Sequence, residues 1–120
     1  MANSLRVEKI TAEIQRAISE ILRTEVHDTR VAEHFGSITR TDLTRDLRHA
    51  TLYISVFGDP ESQQAFMAGL ASARGFIRSA LGQRLRLRYT PELHFKLDLS
   101  LEKGSQVISL LESMRAEGQL

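Results

Sequence analysis

The chain has 120 residues, of which 42% are hydrophobic and 26% are charged, so its composition is that of one globular domain and not of a disordered chain. It contains no cysteine, which excludes a disulfide scaffold, a thiolate metal site and a cysteine nucleophile. No apolar run approaches the ~20 residues of a membrane helix. The acidic first thirty residues argue against a transit peptide, and we expect a cytoplasmic protein.

The positive charge is concentrated in one quarter of the chain. The formal net charge is only +1, but residues 62–91 contain five arginines and no acidic residue. Residues 1–61 carry ten acids and eight bases, and residues 92–120 carry five acids and three bases. This asymmetry predicts a local surface for an anionic partner.

The first half of the chain predicts a helix followed by a β-hairpin. Apolar residues recur with helical spacing from Ile10 to Ile21, after a cap at Asn3 or Ser4. Residues 26–36 predict a loop, and the residues at 37–44 predict a strand. After a turn at 45–48, strict alternation over 50–57 predicts a second strand that is antiparallel to the first.

The second half predicts helices around one further strand. Asp59 and Pro60 mark a helix start, and an apolar stripe continues to Leu85. Gly75 could divide this stripe into two helices, and periodicity alone leaves both alternatives open. We then expect an extended lead-in at 86–90, a strand at 92–99, a C-terminal helix at 104–116 and a frayed tail at 117–120. Together these elements predict a single α+β domain over residues 1–120, with a core fold at about 4–99 and helices on one face of a three-stranded sheet.

No motif in the sequence indicates catalysis. There is no HExxH, no GxSxG and no glycine-rich phosphate loop. The four histidines lack the spacing of a metal site on one helix, so we interpret them as lone surface or strand residues. We therefore predict a protein that is not an enzyme, with no cofactor, no metal site and no small-molecule substrate.

The arginines of residues 62–91 form the strongest functional signal. Arg74 and Arg78 share a face of a helix, and the three at 84, 86 and 88 share a face if that stretch is extended. Guanidinium groups match phosphate geometry, and a helix junction at Gly75 would also expose backbone N–H groups to a phosphate. A solvated face is the alternative, but the lack of a balancing acid favours phosphate binding. Because most aromatic residues fall on core-facing phases, we expect recognition through charge and shape rather than base stacking.

The chain resembles the bacterial ribosome-binding factor A family over nearly its whole length. The most specific motifs are ARGFIR at residues 73–78 and LRLRYTPELHF at residues 85–95. The resemblance implies a type II KH-like fold. In this family a helix interrupted at an Ala-x-Gly motif, here Ala73-Arg74-Gly75, replaces the GxxG loop of ordinary KH domains. It therefore favours the division of the long stripe at Gly75.

The resemblance also implies a function and a binding surface. Members of the family bind the free 30S subunit and its 16S rRNA, assist late maturation around the 5′ end of that RNA, and matter most in the cold. We expect this protein to act as a monomer with the same partners and without catalysis. The candidate RNA-binding residues are Ala73, Arg74, Gly75, Arg78, Arg84, Arg86 and Arg88, with Arg45 and Lys9 as weaker candidates. A general KH-type binder of single-stranded RNA and a protein-interaction module remain the alternatives.

Overall fold

The architecture is a small mixed sheet with helices packed against it. A computed structural model describes residues 4–100, so the predicted helix at 104–116 and tail at 117–120 lie outside the described residues. The elements in chain order are α1 (Ser4–Thr24), α2 (Thr29–Ala32), β1 (Gly36–Leu43), β2 (His49–Val56), α3 (Pro60–Leu85) and β3 (Glu92–Leu97). Among these residues, none of the helices has the length and apolarity needed to cross a membrane.

The sheet has three strands in the order β1-β2-β3, which confirms the predicted α+β fold with a three-stranded sheet. β1 and β2 are antiparallel, as expected for a hairpin, and β2 and β3 are parallel. Parallel neighbours require a crossover connection, and α3 provides it. The register places His49 opposite Glu92 and Ala50 opposite Leu93. The residues around the start of β2 and the start of β3 therefore meet at one end of the sheet.

Alternation along the strands divides the sheet into a buried face and an open face. In β2 the buried residues are Ala50, Leu52, Ile54 and Val56. They form one apolar cluster with buried residues of both long helices, among them Ile14, Ile18, Leu70, Ile77 and Leu81. The opposite face carries the intervening side chains, including those of Tyr53 and His94, which are only partly buried.

The helix α3 runs from Pro60 to Leu85 without a break, so the predicted interruption at Gly75 is wrong. Asp59 caps its start, since its carboxylate accepts a hydrogen bond of 2.8 Å from the backbone N–H of Ser62. A glycine in a helix interior costs about 1 kcal/mol, whereas burying one large aliphatic side chain contributes about 1.5–3 kcal/mol. Ile77 and Leu81, beyond Gly75, are both fully buried. Continuing the helix keeps them in phase with the core, which outweighs the cost of the glycine.

The segment after α3 is not the extended lead-in that the alternation of Leu85 to Tyr89 predicted. Arg86 ends the helix in a left-handed conformation, with φ 50° and ψ 42°, and its N–H bonds to the carbonyl of Gly82. The chain therefore turns at Arg86 and stays unpaired until Glu92. Leu85 is the last residue of α3, and Leu87 follows the turn at Arg86. Both side chains pack against the core, so apolar and polar residues alternate here as they would in a strand.

Residues 26–36 also differ from the predicted loop, because they contain the short helix α2. The carboxylate of Asp28 accepts bonds from the backbone N–H of Arg30 at 2.9 Å and from its guanidinium at 2.8 Å. Arg30 also donates to the hydroxyl of Ser72 on α3 over 3.0 Å. The paired Arg30 lowers the pKa of Asp28, and the turn is held against the long helix.

Candidate nucleic-acid interface

Two shallow clefts lie side by side where β2, α3 and β3 meet. The first, of about 350 Å³, is lined by Arg48, His49, Arg78, Tyr89, Thr90 and Glu92. The second, of about 270 Å³, is lined by Arg74, Gly75, Arg78, Glu92, Leu93 and His94. We call the two clefts together the basic surface, because three arginines face a single carboxylate there. Apolar, enclosed lining is typical of small-molecule sites, and this surface lacks it.

Arg78 stands between the two clefts and is fixed by the backbone of the segment before β3. Its guanidinium donates to the carbonyl of Thr90 over 2.8 Å and to that of Pro91 over 3.2 Å. These bonds use part of the five-donor fork. The predicted binding residue therefore also joins α3 to the strand, and the remaining donors are available to a ligand.

Arg74 and Gly75 lie one turn earlier on the exposed side of α3. Within residues 4–100 the Arg74 side chain forms no hydrogen bond or ion pair, so it is available to an anion. A Cβ at Gly75 would meet no atom within 4 Å. The predicted junction at Ala73 to Phe76, with its exposed helix N-terminus, does not form, because the helix is unbroken. Gly75 instead leaves an open surface beside Arg74.

Tyr89 is exposed between two arginines at the edge of the basic surface. The residue is 59% exposed, and the guanidinium carbons of Arg48 and Arg88 lie 5.5 Å and 5.7 Å from the ring centroid. Both distances fall within the range of a cation–π contact. An aromatic ring flanked by two cations can stack on a base while the cations bind the neighbouring phosphates.

Arg84 does not belong to the basic surface. Its guanidinium lies 2.6 Å from the carboxylate of Glu25 and 3.3 Å from that of Glu20. The hydrogen bond to Glu25 and the two negative charges raise the pKa of Arg84 above its usual value. Two acids from the α1 region thus neutralise an arginine that the sequence predicted as a phosphate ligand.

The remaining predicted residues are scattered. Arg86 occupies the left-handed end of α3, so it does not share an extended face with Arg84 and Arg88 as predicted. Arg45 is exposed in the turn between β1 and β2, and Lys9 is exposed on α1. Neither lines the two clefts. Ala73 is half-buried beside Arg74 and packs against the core.

The prediction that most aromatic side chains face the core is wrong. Phe35, Phe57, Phe76 and Tyr89 are all more than half exposed, and of the aromatic residues only Phe66 is counted among the buried core in residues 4–100. Sequence reasoning also missed Arg48, His49 and His94 as members of the surface. Their placement depends on the register between β2 and β3, which no local pattern in the sequence carries.

Comparison with known proteins agrees with this architecture. The family model described as ribosome-binding factor A matches residues 6–111. Ribosome-binding factor A of Acetivibrio thermocellus is 44% identical over 114 residues, which cover 95% of this chain and 92% of the relative. The chain belongs to the ribosome-binding factor A family.

Solved structures of the ribosome-binding factor A family share the fold. The solution NMR structure of the Thermotoga maritima protein has a TM-score of 0.67 and 33% identity, covering 79% of this chain and 89% of that one. A Thermus thermophilus homology model, fitted into a cryo-EM map of a 30S complex, has a TM-score of 0.59 and 24% identity, covering 76% and 93%. The KH-like fold that the resemblance implied is therefore confirmed, with an unbroken helix where the interruption was predicted.

Proposed function

We propose that this protein is an assembly factor that binds the free 30S subunit through its 16S rRNA, without catalysing a reaction. The observation that carries the proposal is the basic surface, where Arg78 shares one cleft with Arg48 and the other with Arg74. Within residues 4–100 the side chain of Arg74 has no hydrogen-bond or ion-pair partner. The name of the family and the 30S complex of its Thermus relative support the choice of partner. A ribosomal partner also implies the cytoplasm as the place of action.

The charges of the basic surface suit the phosphate backbone of a folded RNA. Guanidinium groups donate paired hydrogen bonds to phosphate oxygens, and they remain charged at any physiological pH. Arg78 is held in place by two backbone carbonyls, so little side-chain entropy is lost when it binds. Tyr89 adds a stacking surface between two cations.

Binding alone gives such a protein a way to act on rRNA. A ligand shifts a conformational equilibrium only by its difference in affinity for the two states. An rRNA conformation that presents phosphates with the spacing of the basic surface is therefore favoured over its alternatives. We propose that this preference assists late maturation of the small subunit, including processing at the 5′ end of 16S rRNA. We also propose that the protein acts as a monomer and that residues 1–120 form a single domain.

Co-sedimentation with purified 30S, 50S and 70S particles over a salt series tests the proposal. The double variant Arg48→Glu/Arg74→Glu changes two cations of the basic surface whose side chains form no hydrogen bond or ion pair in the described part of the chain. The matched control is Arg16→Glu/Arg23→Glu, with the same change of charge on α1, away from both clefts. We expect salt-sensitive binding to 30S particles that the first variant weakens and the second retains. Equal losses in both variants would overturn the placement of the RNA surface.

A general binder of single-stranded RNA is the second candidate, and the exposed aromatic rings favour it. Phe35 and Phe57 are each more than 80% exposed, and the N–H of Phe57 bonds to the carbonyl of Phe35. Stacking of bases on such rings does not require a folded RNA. Tight binding to unstructured oligonucleotides at the same salt concentration would support this candidate over the subunit. Retention of full 30S affinity by the Arg48→Glu/Arg74→Glu variant would instead favour a protein-interaction module.

A further inference from the structure

Two histidines and a glutamate converge on the open face of the sheet, within the basic surface. His49 begins β2, and Glu92 and His94 lie on the same face of the neighbouring strand β3. The side chains of His49 and Glu92 are 48% and 62% exposed, so ions in solution can reach them. The sequence predicted these histidines as isolated residues, and the parallel pairing of β2 with β3 brings them together.

The distances between the potential ligand atoms are close to those between the ligands of a bound metal ion. Nδ1 of His49 lies 3.1 Å from Nε2 of His94 and 3.5 Å from a carboxylate oxygen of Glu92. All three ligand atoms lie within 4.8 Å of one another. Zinc–nitrogen bonds of about 2.0–2.1 Å place neighbouring ligands of a tetrahedron about 3.3–3.4 Å apart. The two distances from Nδ1 of His49 are within a few tenths of an ångström of that value. The third distance, between Glu92 and His94, can be adjusted by rotation of the exposed Glu92 side chain.

We propose that His49, Glu92 and His94 form a binding site for a divalent transition-metal ion such as Zn²⁺. Two imidazole nitrogens and one carboxylate oxygen are a ligand set that suits zinc, with the fourth position left to water. Magnesium prefers oxygen ligands, so it binds this set poorly. The proposal concerns these three side chains only and does not depend on RNA binding.

The geometry also specifies which ring nitrogen of each histidine binds the ion. The metal takes the lone pair of Nδ1 on His49 and that of Nε2 on His94, so each ring keeps its proton on the other nitrogen. Without the metal, one of these two nitrogens must donate a hydrogen to the other, since two lone pairs facing each other at 3.1 Å repel. A hydrogen-bonded histidine pair is therefore the alternative that an experiment must distinguish.

Calorimetric titration of untagged protein with Zn²⁺, and separately with Mg²⁺, tests the site. We expect one Zn²⁺ per chain, no comparable Mg²⁺ binding, and a rise in the melting temperature with Zn²⁺ concentration, since a ligand of the folded state stabilises it. His49→Ala and His94→Ala should each weaken Zn²⁺ binding at least about tenfold, and Glu92→Gln should weaken it as well. His27→Ala is the control, because it removes an exposed histidine outside the cluster and should leave the affinity unchanged.

Nitrogen-15 NMR of the histidine rings keeps the test informative even if an alanine variant folds poorly. In the unsubstituted protein, Zn²⁺ should shift Nδ1 of His49 and Nε2 of His94, and the rings of His27 and His34 should not respond. Absence of saturable Zn²⁺ binding would overturn the proposal. So would undiminished affinity in both folded histidine variants, or a Zn²⁺ response at the opposite ring nitrogens.

Discussion

The guanidinium of Arg84 lies 2.6 Å from the carboxylate of Glu25, and this ion pair joins the end of α3 to the residue just after α1. The two residues are 59 positions apart in the chain. A run of residues without acids is therefore not the same as a surface without acids. The arginines that remain available to an anion at the basic surface are those that no carboxylate within residues 4–100 pairs with, in contrast to Arg84.

The contrast between Arg84 and Arg74 gives the first prediction. Arg74→Gln should weaken 30S binding and reduce the salt dependence by about 0.7–0.9 log units per decade, the value for one phosphate contact. Arg84→Gln should leave both quantities nearly unchanged, because its charge is already compensated by Glu20 and Glu25. Exposed ion pairs contribute about 0–1 kcal/mol, so neither variant should unfold the protein. Co-sedimentation with 30S particles at several salt concentrations measures the affinity and its salt dependence. A loss of affinity in Arg84→Gln equal to that in Arg74→Gln would contradict the placement of Arg84 outside the basic surface.

Arg78 should be sensitive to a substitution that keeps its charge. Arg78→Lys retains the cation but loses the planar fork that bonds the carbonyls of Thr90 and Pro91. We expect the free energy of unfolding to fall by about 1–2 kcal/mol and 30S affinity to fall with it. Urea denaturation measures the first effect. Arg74→Lys is the matched control on the same helix and should unfold like the unsubstituted protein.

Two glycines of α3 should respond in opposite ways to alanine. Gly75→Ala should raise the free energy of unfolding by about 0.5–1 kcal/mol, since the helix is unbroken and the new methyl group meets no atom within 4 Å. Gly69→Ala should lower it by about 1–3 kcal/mol, because its Cβ would lie 2.8 Å from a methyl carbon of Val31. Thermal and urea unfolding measure both effects. Destabilisation by Gly75→Ala would mean that the helix is interrupted there after all.

Ile54 tests the core. Its side chain is fully buried in the middle of β2, so Ile54→Ala should lower the free energy of unfolding by about 2–5 kcal/mol through lost burial and a remaining cavity. Ser55→Ala, on the opposite face of the same strand, is the control and should change stability little. Urea titrations compare the two, and similar midpoints would contradict the division of the sheet into a buried and an open face.

Asp98 links stability to pH. The hydroxyl of Thr39 donates to its carboxylate over 2.5 Å, and this bond, aided by the N–H of Ser100, lowers the pKa of Asp98 to about 2. A lowered pKa in the folded state stabilises the protein above the ordinary value of 3.8, and that contribution is lost as the pH falls towards 2. Thr39→Val should therefore raise the pKa of Asp98 and make the loss of stability between pH 4 and pH 2 less steep.

Carbon-13 NMR of the Asp98 carboxyl group follows this titration directly, and urea unfolding at several pH values follows the stability. Thr51→Val is the control, since Thr51 lies on β2 opposite His94 and is not among the residues that donate hydrogen bonds to Asp98. An unchanged pKa of Asp98 in Thr39→Val would show that the hydroxyl is not the main cause of the shift.

The sequence by itself determined the elements whose pattern is local. The helical spacing from Ile10 to Ile21 and the alternation from Ala50 to Val56 predicted α1 and β2, because one buried face fixes the period of each element. The cap at Asp59 predicted the start of α3, because a capping side chain bonds the backbone within one turn of its own position and is therefore also a local signal. The motifs at residues 73–78 and 85–95 predicted the family, and the comparisons confirm it.

Tertiary structure alone decided which charged side chains remain available and which histidines meet. Packing of Ile77 and Leu81 continued α3 through Gly75, although the local preference of a glycine is to weaken a helix. The approach of α1 to α3 neutralised Arg84, and the register of β2 with β3 placed His49 beside Glu92 and His94. Each of these results depends on contacts between residues distant in the chain, and the energies of such contacts leave no periodic trace in the sequence.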